Sequence, residues 1–98
     1  MSHHLPTVLT EIRTLLDQPA ARGRASRALV EKTLTDGYAH ALRIGGERLA
    51  VEDRLRTNVR APRRDETQIV ELTLALDALD EELAGLRRLL AELRAHAL

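Results

Sequence analysis

The sequence predicts an all-α protein: an antiparallel helical hairpin of two long helices with a short N-terminal helix before it, the hairpin dimerising into a four-helix bundle. Three observations lead there. First, Ile69, Leu76, Leu83, Leu90 and Ala97 interleave with Leu72, Leu79, Leu86 and Leu93 at alternating steps of three and four. A seam that repeats every ~3.5 residues has to face another helix along its whole length. Second, Tyr38 is the one aromatic in 98 residues, and Leu, Ala, Val and Ile supply nearly all of the 44% hydrophobic content. Strands normally carry more aromatic and β-branched residues than this. Third, Pro62 separates two apolar-periodic segments of nearly equal length, 26–59 and 65–97, each about 50 Å long at about 1.5 Å per residue.

Residues 5–18 read as a short amphipathic helix. Pro6 suits the first helical turn, where its missing N–H costs nothing. Val8, Ile12, Leu15 and Leu16 share a face, Leu9 lies beside it, and Pro19 stops the helix. A segment of about a dozen residues is marginal in isolation and has to dock. Residues 18–26 form a linker, with Pro19, Gly23 and small alanines breaking the periodicity. Ser26 offers an N-cap for the helix that follows.

Residues 26–59 read as one long helix. At ~100° per residue its apolar arc covers roughly half the circumference and holds Val30, Leu34, Tyr38, Ala41, Leu42, Ile44, Gly45, Leu49, Val51, Leu55 and Val59. An arc this wide suits more than one neighbour. Asp36-Gly37 is a turn signal, but the helical period runs through it, so the helix is expected to continue. Gly37, Ala41 and Gly45 make a strip of small residues that a leucine of the other long helix can enter. Arg48 and Glu52 lie inside the arc, one turn apart. They form either a paired polar layer that fixes register or two side chains reaching along their stems to water.

Residues 60–65 are the turn, because Pro62 pushes the residue before it out of the helical region. Asp65 caps the last helix, with Gln68 as its partner three residues on. Glu66 and Glu71 near the start, and Arg87, Arg88, Arg94 and His96 toward the end, complement the helix dipole. A fold-back at position 62 sets Gly45 near Leu79 and Asp80, and Ala41 near Leu83. The expected seam therefore joins Val30, Leu34, Ala41, Gly45 and Leu55 to Ile69, Leu72, Leu76, Leu79, Leu83, Leu86, Leu90 and Leu93. It also brings Arg54, Arg56 and Arg60 close to Asp65, Glu66 and Glu71. The chain divides into a short helix with its linker, 1–25, and the hairpin, 26–98.

Fifteen basic residues balance 15 acidic ones, so bulk charge draws the chain toward neither nucleic acid nor an anionic membrane. There is no cysteine, which removes disulfides and thiolate chemistry and fits a cytoplasmic setting. The N-terminus lacks the pattern of a secretory signal, and no stretch reaches the ~18 consecutive apolar residues of a membrane span. Asp36 with His40, and Glu92 with His96, have the one-turn spacing of helical metal ligands, but each is a single pair. No metal, cofactor or enzyme motif is expected; Asp77, Asp80, Glu81 and Glu82 read as a solvated acidic face.

A lone hairpin gains only ~3–5 kcal/mol from its core, so a homodimer is expected. Leu42, Leu49, Leu74 and Leu89, with Val70, lie off the seam and form the expected oligomer or partner face, which residues 5–16 are expected to cover when no partner is present. The function this implies is a protein–protein interaction module, acting as scaffold, adaptor or regulatory subunit through a second copy or a helix of another protein. The alternative is nucleic-acid binding through Arg54, Arg56, Arg60, Arg63 and Arg64, an arginine-rich tip able to contact phosphates. Over residues 26–97 the outline is similar to the coiled-coil arm of seryl-tRNA synthetases, a likeness of shape that carries no residues over. It also resembles the small secreted helical hairpins defined by a Trp-x-Gly turn, but here the turn reads Arg60-Ala61-Pro62-Arg63.

Overall fold

Helices occupy nearly all of the described residues, 5–17 and 24–97, of a computed structural model: α1 (Leu5–Leu16), α2 (Arg24–Arg60) and α3 (Glu66–Ala97). No strand occurs among the described residues.

In α1, Leu5, Val8, Ile12 and Leu15 recur at helical spacing and all four are buried. Thr10 turns its hydroxyl back on the helix, donating to the Pro6 carbonyl at 2.8 Å. Pro19 and the linker 18–23 lie outside the described residues. The second helix begins at Arg24, earlier than expected, which leaves Ser26 inside it rather than at its cap. It then runs unbroken through Asp36-Gly37. Gly37 is buried against α3, and a Cβ placed there would collide with Cδ2 of Leu90 and stand 3.3 Å from its Cγ. The missing side chain is thus the space that Leu90 fills.

The chain bends at 61–65. Ala61 N–H donates to the Asn58 carbonyl at 3.3 Å. Asp65 then caps α3: its Oδ1 accepts the Gln68 N–H at 3.0 Å. The Asp65 carbonyl accepts the Ile69 N–H at 2.9 Å as the first bond of the helix, while its side chain satisfies one of the amides that a helix start leaves open.

One apolar cluster joins all three helices, with Leu5, Val8, Ile12 and Leu15 of α1, Val30 and Ile44 of α2, and Leu83, Leu86, Leu90 and Leu93 of α3. Leu34, Ala41, Leu79 and Leu89 pack against it half-buried. The cluster sits at the end far from the bend. Toward the bend only Leu72 is fully buried, while Leu55, Ile69 and Leu76 are half-buried. The molecule extends 61 × 21 × 17 Å with a radius of gyration of 17.4 Å, against about 13 Å for a compact chain of this length. It is a rod with its core at one end.

Three expectations change. The two long helices meet about one turn (~5 Å) out of the expected register: Arg48 reaches Asp80, and Gly37 faces Leu90. The expected register took Pro62 as the midpoint of the fold-back, whereas the bend 61–65 is centred on Arg63, which accounts for part of the shift. The small strip is filled at only one point, since nothing lies within 4 Å of a Cβ built on Gly45. Leu89 faces the α1 side of the core instead of outward.

Two outcomes follow for stability. Gly85→Ala, whose Cβ enters open space, should stabilise by up to ~1 kcal/mol through helix propensity. Gly37→Ala should lose that gain to ~1–3 kcal/mol of overpacking against Leu90; equal stabilisation of both in urea unfolding would show that Leu90 does not need the gap. Ile12 is 0% exposed, so Ile12→Ala should cost ~2–5 kcal/mol and speed amide exchange in α1.

Candidate functional site

The polar centre of the rod is Arg48. Its Nε donates to Asp80 Oδ1 across the helix pair, and its Nη1 donates to Glu52 Oε2 at 2.9 Å. Glu52 also accepts from Arg56 Nη2 at 2.9 Å, and Arg56 Nη1 donates to Asp53 Oδ1 at 2.9 Å. The Arg48 and Glu52 side chains keep 33% and 34% of their exposure. The outcome lies between the two sequence readings: the layer is paired and cross-linked between helices, yet it touches water. The Asp80 hydrogen bond, and then the Asp80 charge, raise the Arg48 guanidinium above its ordinary pKa. Asp80, expected only as part of a solvated acidic face, is exposed but ties α3 to α2.

At the bend the arginines divide. Arg56 is held by Glu52 and Asp53, and Arg64 Nε lies 3.5 Å from Glu66 Oε1. Arg54, Arg60 and Arg63 are exposed and make no ion pair among the described residues. None of the expected pairs between Arg54, Arg56 or Arg60 and Asp65, Glu66 or Glu71 forms; the contact across the bend is Arg64 with Glu66.

Among the described residues, the most exposed large apolar side chains fall in two groups. On α2, Leu42 is 80% exposed and Leu49 60%, with Tyr38 beside them also exposed. On α3, Leu74 is 64% exposed and Val70 56%. The grooves along the helices are shallow. One between α1 and α2 is lined by Thr7, Val8, Glu11, Asp36, Ala39, His40 and Arg43, and another beside the polar layer by Gly45, Arg48, Asp80, Leu83, Ala84 and Arg87.

His40 and Thr33 are buried, which helical period alone did not indicate; α1 packs on that side of α2 rather than over Leu42 and Leu49. Asp36 accepts a hydrogen bond from Lys32 at 3.0 Å, raising the lysine's pKa. No group of three or more His, Asp or Glu side chains able to hold a metal ion forms among the described residues. No helix among them is long and apolar enough to cross a membrane. Comparison with protein-family models, curated proteins and solved structures found no match to this chain.

The Arg48–Asp80 contact is measurable. A double-mutant cycle with Arg48→Ala and Asp80→Ala should give a small favourable coupling, as for a half-exposed pair, shrinking as salt is added. A coupling of zero at low salt would leave α2 and α3 joined by apolar contact alone.

Proposed function

We propose that this protein is a non-enzymatic interaction module: a helical hairpin, α2 against α3 with α1 docked on one side, that pairs with a second copy as a four-helix bundle. In that role it serves as a scaffold, adaptor or regulatory subunit. The observation that carries the reading is the 80% exposure of Leu42, with Leu49, Leu74 and Val70 also bare. Fully covering a leucine contributes about 1.5–3 kcal/mol, so a helix laid on these residues gains several such increments. Large apolar side chains grouped on the surface of a small protein mark docking sites, and helix-on-helix docking is the mode that long amphipathic helices serve.

A second reading is supported by the arginines at the bend. Arg54, Arg60 and Arg63 stand without carboxylate partners among the described residues, so their charge is available to phosphates. The chain has no Phe or Trp to stack on bases, which sets this reading behind the first.

Sedimentation at micromolar concentration should give twice the 10.9 kDa chain mass, and the melting midpoint should rise with protein concentration, as coupled folding and association require. A single-chain mass with a midpoint that ignores concentration would defeat self-association. Fluorescence anisotropy with mixed-sequence RNA at low salt addresses the alternative; binding that salt abolishes would promote it.

A further inference from the structure

We propose that two copies associate through the outer face of α2, antiparallel, across a two-fold axis at Gly45–Gly46. This rests on the self-association proposed above and names its surface. Leu42, Gly45, Gly46 and Leu49 stand at the spacing i, i+3, i+4 and i+7. Those four positions are the corners of the hole that receives a side chain from a facing helix. Here two corners carry no side chain.

The glycines have no reason for being there within one chain. Each weakens a helix interior relative to alanine. At Gly37 the reason is Leu90, which occupies the space; at Gly45 and Gly46 nothing lies within 4 Å of an added Cβ. The two leucines that frame them are among the most exposed apolar side chains of the molecule. A facing helix that sets its own glycines against these lets the two backbones approach closely and brings Leu42 and Leu49 of the two copies onto one another, which accounts for both facts. The α1 helix does not obstruct this face, because it packs on the side of α2 that carries Asp36, His40 and Arg43.

The charges select the orientation. At ~100° per residue, Glu31, Leu42, Leu49 and Arg60 fall within ~20° of one line along α2. Glu31 and Arg60 are exposed, and neither makes an ion pair among the described residues. With the axis between Gly45 and Gly46, Glu31 of one copy faces Arg60 of the second copy at both ends of the contact, and Leu42 faces Leu49. Parallel alignment would instead set Glu31 on Glu31 and Arg60 on Arg60, which like charges oppose. An isologous contact needs a patch that complements itself, and this line does so in one direction only.

The experiment is sedimentation of the full chain, with far-UV circular dichroism as the check on folding. The wild-type chain should be a dimer. Leu42→Glu with Leu49→Glu should give a monomer of unchanged helicity, since both side chains are exposed in the single chain; Leu74→Glu should leave the dimer intact. Glu31→Arg alone and Arg60→Glu alone should each raise the dissociation constant several-fold, and the two together should restore it. A dimer that survives Leu42→Glu with Leu49→Glu places the contact elsewhere and overturns this inference while leaving self-association standing. Failure of the double charge exchange to restore binding overturns the antiparallel register. A monomeric wild-type chain overturns both this inference and the proposal beneath it.

Discussion

Keeping Leu86, Leu90 and Leu93 away from water is the constraint on which the rest of the structure depends. All three are at most 1% exposed. One neighbouring helix cannot achieve that, because a two-helix contact shields each side chain on one flank only. The second flank is closed by α1, whose Leu5, Val8, Ile12 and Leu15 enter the same cluster. Gly37 contributes from the α2 side by letting Leu90 sit close to the α2 backbone. An element of 12 residues, marginal as an isolated helix, therefore owes its order to the leucines it covers, and they owe their dryness to it.

That cover is finite. A helix of 12 residues reaches about 18 Å, whereas the rod is 61 Å long. Beyond α1, burial falls away: Leu55, Ile69 and Leu76 are half-buried, and Val70 and Leu74 are bare. The polar layer around Arg48 lies where the apolar cover thins. Its partial exposure fits that position, since an ion pair that keeps some water avoids most of the desolvation cost of a buried one. The same limit explains why Leu42 and Leu49 stay open: α1 can lie on one side of α2, and it lies on the other side from them.

Much of this was legible in the sequence. The period of the leucines fixed the helical class, Pro62 marked where the long helices part, and Asp65 announced the cap it forms with the Gln68 amide. Gly37 was readable as a gap for a leucine, although which leucine was not. Less legible were features that depend on distance along the fold. The long helices meet about a turn from the expected alignment, so Arg48 reaches Asp80 as well as Glu52. The burial of His40 and Thr33 follows from where α1 lands. Residues 5–16 were expected over the face of Leu42, Leu49, Leu74 and Leu89; α1 lies beside Leu89 and leaves the other three open.

A leucine repeat by itself cannot choose its own register, because a slide of seven residues, about 10 Å, brings leucine back opposite the same partners. The choice has to come from positions that do not repeat. Sliding α3 one heptad one way would put Arg87 opposite Arg48, two like charges where Asp80 now accepts a hydrogen bond. It would also set Ala97 at Gly37, leaving the gap that Leu90 fills almost empty. Sliding the other way would set Leu83 at Gly37 but Thr73 at Arg48, so the gap is filled and the ion pair is lost. The observed alignment satisfies both positions at once. A side-chain gap and a half-exposed ion pair, each modest in energy, thus distinguish arrangements that the leucines leave nearly equal.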